Sequence, residues 1–373
     1  MTRDSLRFST APLRLVLLAS IALVSAEFLC LSLAHAAGDT PKPLQVYFVD
    51  VEGGQATLFV TPQGQSLLID TGWPDNNNRD ADRIVAAAKA AAVSKIDFVL
   101  LTHYHADHSG GVPQLAAKIP IGAFIDHGEN REESSGTKQI YGDYQNVIAA
   151  KNSKRIIAKP GDVLPISGLQ ATVVSADGVV LDKPLAGAGA ANSACGVSEQ
   201  LPADPSENQR SLGTLITYEK LRILDLGDLT WDKERQLMCP ANKLGKVDIF
   251  VVSHHGSATS DSSVLVNAIS ARVAIMDNGA TKGANPATWQ RVHDAPGLED
   301  LWQLHAAEPP SFGARLHAFF FGANSFVHNV ADSSIANLPG SDAGNYLKIV
   351  AWNDGNFDVY NSRTNATKHY PAR

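Results

Sequence analysis

Four side chains able to ligate a metal stand within six residues: His103, His105, Asp107 and His108, in Leu101-Thr102-His103-Tyr104-His105-Ala106-Asp107-His108-Ser109-Gly110-Gly111. Imidazole combined with carboxylate suits zinc, with manganese or iron as alternatives. Packed this densely without a cation, the rings would repel one another when protonated or go without partners. Ile96 to Leu101 is an apolar run that reads as a buried strand, so the cluster begins where that strand passes into a loop. Alternate side chains of an extended segment share a face, so His103 and His105 point together. Gly110 and Gly111 let the backbone turn tightly after Asp107 and His108. The expectation is two neighbouring ions, with His103 and His105 on one and Asp107 and His108 on the other.

Further polar groups recur at the ends of apolar runs. Asp228, in Leu226-Gly227-Asp228-Leu229, has two oxygens and can bridge two cations; the plain alternative is a turn aspartate. His254-His255-Gly256 adds two imidazoles whose side chains must diverge. One is expected to bind metal and the other to contact substrate or shuttle a proton, and the sequence does not choose between them. Asp107, His254 and His255 are therefore the candidate catalytic residues. Asp50 and Asp70 either orient the metal loop by hydrogen bonds or cap turns. His127 is a further ligand or pocket residue by type, and Lys282, in a glycine-containing loop, could hold an anionic group.

Around these groups the chain reads as alternating strands and helices. Residues 44–51, 55–60 and 66–70 form an antiparallel meander. A helix over 80–92 leads into the strand at 96–101, and a short helix over 112–118 precedes a strand at 121–125. Further on, a helix is expected over 141–150 and strands at 163–166 and 169–175. Residues 177–205 form an irregular insertion. Strands follow at 211–218, 221–226, 247–252 and 273–276, helices at 231–238 and 264–269, and a closing hairpin at 346–352 and 357–360. Ligand types at successive strand ends put the site at one rim of a layered fold.

The chain has 373 residues, 44% hydrophobic and 18% charged, an ordinary globular balance. Arg3, Arg7 and Arg14 precede an apolar run that ends in Ala34-His35-Ala36, which reads as a secretion signal over residues 1–36. Export to the bacterial periplasm or beyond is expected, with membrane contact only if that segment stays uncleaved. Cleavage would remove three basic and two acidic residues, taking the formal charge from −7 to −8. That balance disfavours a stable nucleic-acid partner. Cys30 reads as signal filler, while Cys195 and Cys239 are either a disulfide or two free thiols.

The motif His103-x-His105-x-Asp107-His108 resembles the HxHxDH signature of the metallo-β-lactamase superfamily. Within it, Asp50-Val51-Glu52-Gly53-Gly54-Gln55-Ala56 resembles the Asp-Val-Gly-Gln-Gly-Asp-Ala opening of ComEC-type competence hydrolase domains. Leu68-Ile69-Asp70-Thr71-Gly72, Asn208-x-x-Ser211 and His254-His255-Gly256-Ser257 fit that subgroup as well, over roughly Leu44 to Ser262. Secreted phosphorylcholine esterases share much of this architecture. The resemblance implies an α+β four-layer αββα sandwich in one domain over 37–373, with residues 270–373 completing it. It also implies two divalent ions bound by His103, His105, Asp107, His108, Asp228 and His254 or His255, with Asn208 and Ser211 near the site. Their bridging hydroxide would attack a small anionic ester, foremost a phosphodiester; the alternative is a lactam or lactone. A DNA-degrading nuclease and a non-catalytic metal-binding protein stand further back. Two departures matter. Glu52 and Gln55 replace Gly and Asp of the subgroup opening, and no histidine lies between Ser211 and Asp228, where the superfamily places a further ligand. The ion on His103 and His105 is thus one histidine short.

Overall fold

The computed structural model describes Met1 and residues 42–309, 327–340 and 342–373. The segment read as a secretion signal, Cys30 included, lies outside the described residues apart from Met1. The chain divides into two compact units, Met1–Lys42 and Pro43–Arg373, and every described strand and helix lies in the second.

Strands β1 (Leu44–Phe48), β2 (Thr57–Val60) and β3 (Ser66–Ile69) form the expected meander; β4 (Ile96–Leu100), β5 (Ile121–Asp126) and β6 (Lys154–Ile157) then add in parallel. A second sheet takes β7 (Gln170–Ala176), β8 (Val179–Val180), β9 (Gly213–Tyr218) and β10 (Leu221–Asp225). It continues with the parallel run of β11 (Ile249–Val251), β12 (Val273–Met276), β13 (Asp300–His305) and β14 (Ile335–Asn337). The chain finally returns to the first sheet as β15 (Leu347–Ala351), β16 (Phe357–Asn361) and β17 (Ala366–Tyr370), with β15 antiparallel to β1. The sheet orders are β17-β16-β15-β1-β2-β3-β4-β5-β6 and β14-β13-β12-β11-β10-β9-β7-β8.

Strand periodicity builds the layers. Val46 and Phe48 point into a core shared with Ile249 and Val251 of the other sheet. Tyr47 and Val49 point the other way, under helices α1 (Arg79–Ala90), α3 (Val112–Lys118) and α4 (Ser135–Lys151); the short helix α2 (Ala106–Ser109) carries Asp107 and His108. Phe250 and Val252 pack under α5 (Trp231–Met238), α6 (Ser263–Ile269) and α7 (Pro286–His293). Three apolar cores separated by two sheets make the four-layer αββα sandwich that the family resemblance implies. Among the described residues, no helix is long and apolar enough to cross a membrane.

Three local expectations change. The helix expected at 141–150 begins earlier, at Ser135, because the Ser134 hydroxyl accepts the Thr137 N–H at 3.2 Å as an N-cap. Gly136 and Gly142 weaken the helical signal over that first part. Residues 163–166 form no strand and contribute only the isolated Val163–Thr172 bridge. The strand expected from Ser211 starts at Gly213, which leaves Ser211 in a loop, its hydroxyl accepting the Asp228 N–H at 3.1 Å.

Cys195 and Cys239 are bonded, with Cα atoms 5.8 Å apart, and tie the 177–205 insertion to the end of α5. A cross-link spanning 44 residues removes unfolded-state freedom worth roughly 2–4 kcal/mol. The Cys195→Ser/Cys239→Ser variant is therefore expected to unfold at lower temperature and to be cut by protease within 177–205 before the rest of the domain. A thermal scan and limited proteolysis check this; an unchanged cleavage pattern would show that the bond does not hold the insertion.

Candidate metal centre

The parallel strands of both sheets run toward one rim, and their last residues or the loops just after them carry the site. Asp70 follows β3, His103 to His108 follow β4, Asp228 follows β10, His254 and His255 follow β11, and Asp277 follows β12. The loops approach closely. A Cβ on Gly54 would lie 2.4 Å from the Asp107 carbonyl oxygen, and one on Gly227, where φ is 56°, would lie 2.8 Å from Thr102 Cβ. Asp70, His254 and His255 also hold left-handed conformations at φ 60°, 52° and 56°. Each such non-glycine residue costs on the order of 1–3 kcal/mol and needs surrounding contacts to hold it.

Asp107, His108, Asp228 and His255 converge, with one ligand atom of each within 4.8 Å of the others. His255 Nε2 lies 3.1 Å from Asp107 Oδ2 and 3.2 Å from His108 Nε2. His108 Nε2 lies 3.3 Å from Asp107 Oδ2 and 3.2 Å from Asp228 Oδ1. A tetrahedral ion with bonds of about 2.0–2.1 Å has ligand–ligand edges of about 3.3 Å, so these spacings fit one divalent ion. The other oxygen of Asp228 faces different imidazoles: His254 Nε2 at 3.3 Å and His103 Nε2 at 3.8 Å. His103 Nε2 is buried and has no hydrogen-bond partner, and neither has the Asn208 amide oxygen. His105 lies beside His103, ring centroids 4.7 Å apart, but directs Nε2 to Glu132 Oε2 at 2.9 Å.

Oxygens behind the rings fix their orientation. Asp70 Oδ2 takes His108 Nδ1 at 2.7 Å while Asp70 also accepts the Thr102 N–H and hydroxyl at 2.8 and 2.6 Å. His103 Nδ1 faces the Thr102 hydroxyl at 3.0 Å and that of Ser211 at 3.5 Å. His254 Nδ1 faces the Thr259 and Ser260 hydroxyls at 3.2 and 3.4 Å. Asp277 Oδ1 lies 3.2 Å from His255 Nδ1, without the alignment of a hydrogen bond.

The electrostatics favour positive charge at the cluster. Burial raises Asp107 and Asp228, but the neighbouring imidazoles, His108 foremost, outweigh it and hold both carboxyls well below their usual range. Burial likewise lowers His108, but Asp228, Asp107 and Asp70 outweigh it and push the ring well above its ordinary value. His103, by contrast, is driven well below its ordinary value by burial and by His108. His108 and, through Asp277, Asp228 and Asp107, His255 are thus the imidazoles that favour positive charge here, a role a divalent ion would take over. Lys282 adds positive charge, donating to Asp107 and, at 2.6 Å, to the Gly53 carbonyl, with its ammonium 5.1 Å from the centre of the Trp73 ring. His254, His255, Ser257 and Lys282 line a cleft of about 350 Å³ beside the cluster.

Two candidates stand apart. His127 gives Nε2 to Glu207 Oε2 at 3.0 Å and lies against Tyr104, outside the converging set. Asp50 does not support the metal loop; it accepts the Glu52 N–H at 2.9 Å, Arg83 at 2.9 Å and His305 Nε2 at 2.7 Å. Buried Asp50 and His305 with half-buried Glu52 form a second group, already neutralised in part by Arg83. Sequence reading missed His305, which its place at the end of β13 could have signalled, and Glu132 and Glu207, which no local pattern marks.

Residues 49–190 match the model of the metallo-beta-lactamase superfamily. The chain is 26% identical over 237 residues to Recombination protein 2 of Haemophilus influenzae, covering 63% of this chain and 24% of that protein. It is 33% identical over 97 residues to hydroxyacylglutathione hydrolase of an Enterobacter species, covering 24% of this chain and 38% of that protein. The chain therefore spans well under half the length of either relative. Among solved structures, the diiron β-hydroxylase CmlA from Streptomyces venezuelae is similar at 13% identity and a TM-score of 0.36, covering 78% of this chain and 48% of that one.

Replacing Asp70→Asn keeps the side-chain shape but weakens its grip on the His108 proton. Metal affinity is expected to fall roughly 10–100-fold with the fold retained, measured by competition against a chromophoric chelator alongside circular dichroism. Unchanged affinity would mean that Asp70 only caps its turn.

Proposed function

We propose that the chain, whose residues 49–190 match the metallo-beta-lactamase superfamily, is an exported binuclear metal-dependent hydrolase of that superfamily acting on a small anionic phosphodiester. The observation that carries this reading is the fork of Asp228, whose two oxygens face two separate groups of imidazoles. Asp107, His108, His255 and Asp228 Oδ1 would hold one ion. Asp228 Oδ2, His103 and His105 would hold the other, with the unpartnered amide oxygen of Asn208 standing in for the missing strand histidine. Zinc suits these donors, and manganese or iron are the alternatives. When bound, two such ions supply a nucleophilic water at neutral pH and positive charge for the departing oxygen.

The chain's own residues do the rest. Ser211 and Asp70 fix Asp228 and His108 before substrate arrives. His254 lines the cleft between solvent and Asp228, its Nδ1 facing hydroxyls and its Nε2 3.3 Å from Asp228 Oδ2, where it would contact substrate or pass a proton to the leaving group. The Lys282 ammonium stands where a phosphate or carboxylate oxygen would complement it. The Cys195–Cys239 bond supports export, since disulfides are rare in reducing compartments.

The zinc-loaded protein is expected to cleave bis-p-nitrophenyl phosphate and to leave nitrocefin, a homoserine lactone and single-stranded DNA largely intact. Lactam or lactone turnover without phosphodiester turnover would overturn the substrate class, and efficient DNA cleavage would make the protein a nuclease. His255→Ala is expected to lose one ion per chain. His254→Ala is expected to keep both and lose about 100-fold in kcat. Lys282→Ala should raise KM for the phosphodiester about tenfold, with a smaller effect on a neutral ester.

A further inference from the structure

We propose that Glu234 is a positioning residue for His254, acting through Asp261. The inference deepens the hydrolase reading above and rests on it for the role of His254. His254, His255 and Gly256 hold three successive left-handed conformations, at φ 52°, 56° and 79°. The two histidines keep that backbone only where surrounding contacts hold them. Main-chain groups hold the exit of the turn: the Ala284 N–H donates to the His255 carbonyl and the Asn285 N–H to the Gly256 carbonyl, both at 2.8 Å. A side chain holds the entry, where Asp261 Oδ1 accepts the Ser253 N–H at 3.0 Å. The same loop reaches the His254 ring, whose Nδ1 faces the Thr259 and Ser260 hydroxyls. Residues 259–261 thus bracket His254 from its backbone and from its ring.

Helix α5 holds the bracket. Trp231 and Glu234, about one turn apart on that helix, take hold of consecutive residues. The backbone and indole N–H groups of Trp231 donate to the Thr259 and Ser260 carbonyls at 3.1 and 2.8 Å. Glu234 Oε1 and Oε2 accept the Asp261 and Ser262 N–H groups, each at 2.7 Å. Asp261 is itself left-handed, at φ 60°, and Arg291 donates to its carbonyl at 3.1 Å. Glu234 is fully buried and lines no part of the cleft, so it reaches the chemistry only through this loop. Both of its oxygens are committed to N–H donors. An amide in its place would set an NH2 donor against one of them. The helix starts three residues after Asp228, so its first turn also fixes the bracket relative to the carboxylate whose Oδ2 lies 3.3 Å from His254 Nε2.

The test uses the zinc-loaded full chain with bis-p-nitrophenyl phosphate. Glu234→Gln should keep the wild-type zinc content and lower kcat roughly 10–100-fold, with KM little changed. Glu234→Gln/His254→Ala should be no slower than His254→Ala alone, because both changes act on the same ring. Losses that multiply in the double variant, a wild-type kcat in Glu234→Gln, or loss of a zinc ion, which would place the effect at His255, would each overturn the inference. Amide hydrogen exchange gives a readout that needs no turnover: the Ser253 and His254 amides should exchange at least about tenfold faster in Glu234→Gln, and unchanged rates would show that Glu234 does not hold the turn. If Glu234→Gln does not fold, Asp261→Ala should show the same two effects. Asp261→Asn keeps an oxygen for the Ser253 N–H and should restore most of the loss; an Asn variant as slow as Ala would also overturn the inference. A wild type that binds zinc and cleaves no phosphodiester would overturn the hydrolase reading, while the exchange rates would still decide what Glu234 does.

Discussion

Asp228 is a buried carboxylate that reaches in two directions at once, and much of the molecule serves to keep it ionised and in place. Removing an anion from water costs several kcal/mol unless charge and hydrogen bonds replace the lost solvation. Here Asp107 and Asp70 are buried within the same cluster, so the cost is multiplied. Lys282 and the His108 ring, which its carboxylate neighbours push toward the charged form, offset part of it. Two divalent ions would offset it far more fully, and the short separations among the inward nitrogens and oxygens are those of ligands gathered about an ion rather than of salt bridges on a surface.

The fold delivers these groups through its strand ends. Two sheets pack face to face through a shared apolar core, and the loops that carry chemistry meet along one rim. The strands are held by apolar packing on both faces, which leaves their ends free to take up polar residues and left-handed turns. Gly54 and Gly227 allow the loops to meet at distances no side chain would permit, so the turn after β1 and the end of β10 press directly on the metal loop. Ring orientation is then a matter of the oxygens behind each histidine, and that outer layer comes from elements scattered over the whole domain.

What could be read from the sequence divides along the same line. The HxHxDH run, Asp228 and the histidine pair after β11 were legible because their signals are local: a ligand type, a preceding apolar strand and a following turn. The four layers were expected from the family resemblance, and the strand alternation that sends Val46 inward and Tyr47 outward accords with them. The outer layer was not. Glu132 and Glu133 are adjacent and chemically alike, yet Glu132 reaches His105 while Glu133 lies exposed against Lys138. Only the tertiary path of the 127–134 loop separates them. Asp50 takes the turn-capping alternative, accepting the Glu52 N–H, while its further partners Arg83 and His305 were not legible because α1 and β13 bring them from 33 and 255 residues away. The adjacent pair His254 and His255 could not be assigned from sequence because its resolution depends on two successive left-handed residues, a backbone conformation no side-chain pattern encodes.

The central claim is that one carboxylate joins two ions. The most direct measurement is an anomalous difference map from crystals of the zinc-loaded full chain, collected at the zinc absorption edge. Two peaks about 3.5–4 Å apart are predicted, one ligated by Asp107, His108 and His255 and the other by His103 and His105, with Asp228 touching both. A single peak, or two that do not share Asp228, would contradict it.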